Sequence, residues 1–151
     1  ALSFGTTSIF YKNMLDDDRE QVATNYNVTA DQLTNMLGVV VAYRNIVAHG
    51  ERTFCARLPK TRLSTNLEIT KKLCIAKNDK GDIKFGRNDF LSLLICCKYL
   101  LPSIEFTGFI FELESSLDDL SKRLSSSMMG RIKISMGLKS NSWKLLPKLK
   151  K

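Results

Sequence analysis

Between Thr29 and Gly50 the chain reads TADQLTNMLGVVVAYRNIVAHG, and this segment limits the possible folds more than any other. Thr29 with Gln32 three residues later forms a capping-box pattern, in which the hydroxyl accepts from a first-turn amide and the glutamine reaches back to the threonine N–H. Behind it Leu33, Met36, Leu37, Val40 and Val47 recur at helical spacing, while Val39, Val41 and Ile46 carry apolar character around the other side. A helix that is apolar on nearly every face is packed at the centre of a domain. Gly50 supplies a natural C-terminal stop. The expectation is a central, buried helix over residues 30–49.

The other segments read as helices gathered around it. Residues 4–15 place Ile9, Phe10 and Met14 among their apolar positions, and Asp16, Asp17 and Asp18 open a second short helix to about residue 25, with acids complementing the dipole of its first turn. Residues 51–66 form a basic loop broken by Pro59, and a short helix is expected over 67–76. Residues 77–82 have turn chemistry, read as a loop, with a small hairpin between 73–76 and 83–85 as the alternative. Asn88 or Asp89 caps a helix that Pro102 ends, a long helix follows over 103–124, and a last one lies near 128–136. A lysine-rich tail is anchored by Trp143. The fold expected is all-α, a helical bundle with a basic loop after its central helix, in one domain over residues 1–151. With 44% hydrophobic residues such a chain has enough apolar surface for one core.

Charge narrows the partners. The net charge is +8, and the first fifty residues carry mostly acids, whereas Arg52, Arg57, Lys60 and Arg62 begin a basic belt just past the central helix. That sign favours an anionic partner such as RNA, DNA or a membrane surface. A solvated, solubilising lysine face is the plainer reading of the same residues. Cys55, Cys74, Cys96 and Cys97 show no CxxC spacing, and with a single histidine they form no recognisable zinc site, so reduced and buried thiols are expected. The apolar stretch 90–101 is too short to span a bilayer and contains Lys98, and no signal-peptide pattern opens the chain; a cytoplasmic protein without a membrane span is expected. The chain begins at Ala1 directly in an amphipathic segment, which suggests that an upstream part of the domain is missing.

The central helix ends in Arg44, Asn45 and His49, three polar groups after an apolar run. On an ideal helix Arg44 and His49 differ by about 140° and roughly 7.5 Å of rise, so they do not face each other within one helix. Arg44 falls in angle near Leu33 and Leu37, where a charge needs a partner, water or an interface. Asn45 and His49 share a face, which would let the amide orient the imidazole. A two-fold axis at this helix end would bring two Arg44 and two His49 side chains together and predicts a homodimer. The chemistry that suits these groups is cleavage of RNA by its own 2′-hydroxyl. An imidazole exchanges a proton near neutral pH and a guanidinium stabilises the charge on a pentacoordinate phosphate, with no metal or other cofactor involved. Arg52, Arg57, Lys60 and Arg62 would hold the RNA backbone. The structural alternative is a histidine that merely caps a helix end near the negative pole of its dipole.

The string Arg44-Asn45-Ile46-Val47-Ala48-His49 resembles the Arg-Asn-x-x-Ala-His signature of the Abi-like (abortive infection) bacterial proteins, which belong to the HEPN superfamily. Leu2-Ser3-Phe4-Gly5-Thr6 with Tyr11-Lys12-Asn13 is similar to the family's upstream Leu-Ser-Phe-Gly segment, and Met136-Gly137 with Trp143 resembles its closing stretch. The resemblance implies a HEPN-type bundle, often dimeric, with metal-independent endoribonuclease activity in phage defence or as a toxin. Arg44 and His49 would be its catalytic pair and Asn45 the polar residue after the arginine. RNA and a second copy of the chain are the partners this reading implies, with a neutralising antitoxin as a further candidate that the sequence itself does not reveal. A non-catalytic RNA-binding or protein-interaction module is the alternative from a different class.

Overall fold

The computed structural model describes residues 3–64, 66–73, 75 and 83–150. The fold is all-α: α1 (Phe4–Lys12), α2 (Asp16–Thr24), α3 (Ala30–Ala48), α4 (Glu68–Lys72), α5 (Phe90–Leu100), α6 (Ser103–Ser121) and α7 (Ser126–Ser135), with 3-10 segments at Thr53–Cys55 and Asn141–Lys148. No β-strand occurs among the described residues. The loop or hairpin expected over 77–82 lies outside them, as does Cys74.

Local chemistry accounts for the helix boundaries. At the start of α3 the capping box is complete: Gln32 N–H donates to Thr29 Oγ1 at 3.3 Å and Thr29 N–H donates to Gln32 Oε1 at 3.0 Å. Its end is a Schellman turn, with Gly50 at φ +68, its N–H bonded to the Val47 carbonyl and the Glu51 N–H bonded to the Ile46 carbonyl, both at 3.0 Å. Asp89 rather than Asn88 caps α5, accepting from Ser92 N–H at 3.3 Å. Leu101 is extended, as a residue before proline must be, and Pro102 turns the chain into α6. Four helices are shorter than expected or shifted, among them α4, which covers Glu68–Lys72 rather than 67–76. α1 stops at Lys12, where Asn13 folds its side-chain amide back onto the Ile9 carbonyl at 2.8 Å. α6 ends at Ser121, and Ser125 caps α7 by accepting from Met128 N–H at 3.3 Å, so α7 starts earlier than residue 128.

Two apolar clusters share α3. The smaller joins Tyr11, Ala23, Ala30 and Leu33, with Met14, Val22 and Leu37 packed on them, and thereby fixes α1 and α2 to the first half of α3. Arg19 locks the same corner: its guanidinium pairs with Asp16 at 3.1 Å and Asp31 at 3.4 Å, while the Tyr11 hydroxyl donates to the Arg19 carbonyl at 3.0 Å. The larger cluster takes Met36, Val39 and Tyr43 from the opposite side of α3 and packs them with α5, α6 and the chain after α7. α3 is therefore central, in contact with α1, α2 and α5. The most deeply enclosed helix is α5, however, where Leu94, Ile95 and Cys96 are fully buried and even Lys98 is covered, its ammonium donating to the Pro147 carbonyl at 3.2 Å. On α3 itself Val47 is exposed.

The loop after α3 is held down by leucines. Leu58, Leu63 and Leu67 are buried in the main core, and between them the backbone is tied to distant chain: Leu58 N–H to the Asn88 carbonyl at 2.9 Å, Leu63 N–H to the Arg87 carbonyl at 2.6 Å, and Ser64 N–H to Asn35 Oδ1 at 2.8 Å. Cys96 is buried and Cys97 half-buried, and burial pushes both thiols up, Cys97 to about 11. Cys55 departs from the buried-thiol expectation: it sits exposed on the one-turn 3-10 segment.

Candidate functional site at the end of the central helix

Arg44, Asn45 and His49 all lie in solvent. Arg44 does share a face with Leu33 and Leu37, as the angles predict, but the small cluster that covers this face takes nothing from α3 beyond Leu37. The arginine therefore projects from the continuation of an apolar face, past the end of its cover, and no buried charge has to be compensated. Tyr43 before it points the other way, fully buried with its ring edge-on to Phe90 at 6.3 Å between centroids. One residue thus anchors the helix while the next is presented.

Arg44 Nη1 donates to Asn45 Oδ1 at 3.2 Å. The asparagine oxygen thus holds the guanidinium, and among the described residues no bond joins Asn45 to the imidazole it was expected to orient. His49 is the C-cap residue of α3, its N–H bonded to the Asn45 carbonyl at 3.0 Å. Among the described residues no side chain hydrogen-bonds or ion-pairs with its ring. The rigid elements are backbone ones: the helix itself, the Schellman turn and Gly50. Beside this end of the helix two apolar side chains are also in solvent, Val47 at 61% and Phe54 at 40% exposure.

The four basic loop residues separate into two kinds. Arg52, Lys60 and Arg62 are exposed, on a loop whose path the buried leucines fix. Arg57 Nη1 pairs with Asp89 Oδ2 at 2.9 Å, and the carboxylate is 1% exposed. Asp89 is a junction that sequence reading identified only as a helix cap. It accepts from Gly86 N–H at 2.9 and 3.1 Å, caps α5, pairs with Arg57, and lies against Gly137, where a Cβ would stand 2.7 Å from its carboxylate. Gly137 has φ +79 and closes α7 with a second Schellman turn. Burial pushes the Asp89 carboxyl above its ordinary value, against the opposing pull of the Gly86 amide and Arg57. The buried Tyr43 hydroxyl has no hydrogen-bond partner among the described residues, and burial with the nearby Asp89 charge pushes its pKa well above the usual value. The signal for this junction in the sequence was Asp89 itself, because beyond its local partners Gly86 and Ser92 the other two, Arg57 and Gly137, come from distant segments.

Among the described residues no three histidine, cysteine or acidic side chains gather as a metal cage, and no helix is long and apolar enough to cross a membrane. Residues 1–55 match the family model described as Abi-like protein. The match spans α1, α2, α3 and the following 3-10 turn, so it contains Arg44, Asn45 and His49 together with the elements that hold them; Gly137 and Trp143 lie outside it. No curated protein and no solved structure matches the chain.

Proposed function

We propose that this chain is a metal-independent endoribonuclease of the HEPN type, acting in abortive infection of phage-infected bacteria or as a toxin. The observation that carries the reading is the presentation of Arg44, Asn45 and His49 in solvent from a helix end that a capping box, a buried tyrosine and a glycine turn make rigid. The similarity of residues 1–55 to the Abi-like family supports the same conclusion. In the reaction His49 takes a proton from, or returns one to, a ribose oxygen as the 2′-oxygen attacks the adjacent phosphorus and the 5′-oxygen leaves, giving a 2′,3′-cyclic phosphate. Arg44 stabilises the phosphorane charge and Asn45 holds the guanidinium in place. Arg52, Lys60 and Arg62 bind the RNA backbone, and Arg57 supports the loop through Asp89 while offering its exposed side.

Because Arg44 and His49 are set apart around one helix, the working site is composed across a two-fold axis, with Val47 and Phe54 in the contact between copies. Total RNA incubated with the protein in EDTA tests the proposal. Cleavage lost in both His49→Ala and Arg44→Ala, with circular dichroism unchanged, is the expected outcome; RNA binding without cleavage by the wild type refutes the enzyme and leaves a binding module. Light scattering that shows a monomer at high concentration refutes the composite site.

A further inference from the structure

The chain that leaves α3 at Gly50 turns back along the same helix. Ser64 N–H donates to Asn35 Oδ1 at 2.8 Å, and Thr61 packs on Gly38 so closely that a Cβ there would stand 3.3 Å from its methyl carbon. The segment between is held at both feet by consecutive carbonyls, Leu58 N–H on Asn88 at 2.9 Å and Leu63 N–H on Arg87 at 2.6 Å. Lys60 and Arg62 flank Thr61 and are exposed, so two cations stand at a place that the docked threonine fixes. Gly38 and His49 are eleven residues apart, which on a helix is a turn of only about 20° and a rise of about 16 Å. The loop cations therefore sit beside the stripe of α3 that ends in Asn45 and His49, at a set distance from the imidazole. In-line attack by a 2′-oxygen is out of reach of a stacked A-form strand, so RNA reacting at His49 is single-stranded and unstacked there. An extended strand spaces its phosphates by roughly 6 Å, against about 3 Å of axis per nucleotide in a stacked one, so this length of helix spans about three extended nucleotides.

We propose that the substrate is single-stranded RNA held in a fixed register, with the scissile phosphate at His49 and the phosphate about three nucleotides away on Lys60 and Arg62. Thr61 and Gly38 are the positioning residues, because their contact sets where the two cations stand. The inference rests on the ribonuclease reading of His49 and adds the conformation and register of its substrate. An end-labelled RNA of random base sequence tests it, carrying one neutral methylphosphonate linkage whose own sugar is 2′-deoxy, and the ladder of cuts is read in EDTA. With the wild type, cuts about two to four nucleotides to one side of the neutral linkage are suppressed about tenfold relative to the all-phosphate strand. Lys60→Ala/Arg62→Ala cuts more slowly and loses that local gap; both positions are exposed, which keeps the variant folded. A ladder without a gap in the wild type, or a gap that persists in the double variant, overturns the register and leaves the ribonuclease standing. A gap centred about five or more nucleotides away belongs to a stacked strand and overturns the extended one. An all-phosphate strand left intact by the wild type refutes the ribonuclease itself, and the register with it.

Discussion

Gly137→Ala tests the junction at Asp89 most directly. The substitution adds one methyl group, and the structure places it 2.7–2.8 Å from the three atoms of the Asp89 carboxylate, a distance that Cβ contacts do not tolerate. The backbone at φ +79 adds strain of about 1 kcal/mol for a residue with a side chain. Relief of the contact requires Asp89 to move, which sacrifices the cap on α5, worth about 1 kcal/mol. It also loosens the pair with Arg57. Breaking a wholly buried pair costs more, but the Arg57 side chain is 43% exposed and can turn to water, so about 1 kcal/mol is the share assigned here. The sum is about 3 kcal/mol, or a drop of about 6–12 °C in melting temperature for a domain of this size. Urea denaturation of the wild type and the variant measures it. In an Asp89→Ala background no γ atom remains to meet the methyl, and the cap and the pair with Arg57 are already gone, so there Gly137→Ala costs only the backbone strain, about 1 kcal/mol. A cost below about 1 kcal/mol in the wild-type background, or an equal cost in both, would refute the reasoning.

Tyr43→Phe removes a buried hydroxyl that has no partner among the described residues, so stability is expected to stay unchanged or rise by up to about 1 kcal/mol in chemical denaturation, whereas a loss of more than that amount would mean the hydroxyl is bonded. Asp89 binds its proton more tightly folded than unfolded, because its carboxyl is raised above 3.8 in the native state. Its contribution to stability is therefore greatest at low pH and declines as pH rises from the ordinary value through the raised one. The stability of the wild type relative to Asp89→Asn should fall across that window, and a difference that grows with pH would contradict the direction. In the cleavage assay, Lys60→Ala and Arg62→Ala should weaken RNA binding similarly across sequences and flatten its salt dependence, each by about one unit of slope at most; a change confined to one RNA sequence would argue against backbone contact.

How much of this was legible in the chain follows from the range of each interaction. The capping box at Thr29 and Gln32, the stop at Gly50 and the break at Pro102 depend on neighbours within a few residues, and all were readable. The distant partners of Asp89 were not, since Arg57 and Gly137 meet it only once α5, α7 and the loop have docked, whereas Gly86 is a local partner three residues before it. Arg44 shows the limit of angular reasoning. Its position around the helix was placed correctly among Leu33 and Leu37, yet burial depends on how far the covering helices extend, and α1 and α2 cover only the earlier turns. The degree to which α5 is enclosed was hidden for a related reason. A short apolar run has no periodicity to show how many sides will be covered, and the lysine within it is accommodated by a carbonyl supplied near the chain's end.

The pinned loop after α3 has a kinetic consequence. Helical bundles fold fast because most of their contacts close short stretches of chain, but here Ser64 reaches back to Asn35 and Asn88 reaches back to Leu58. These bonds close long loops and carry their entropy cost before the leucines between them are rewarded with burial. The expected order of folding therefore has Lys60 and Arg62 reaching their final places only after α3 and α5 have found each other, which makes their surface one of the later parts of the molecule to acquire its shape.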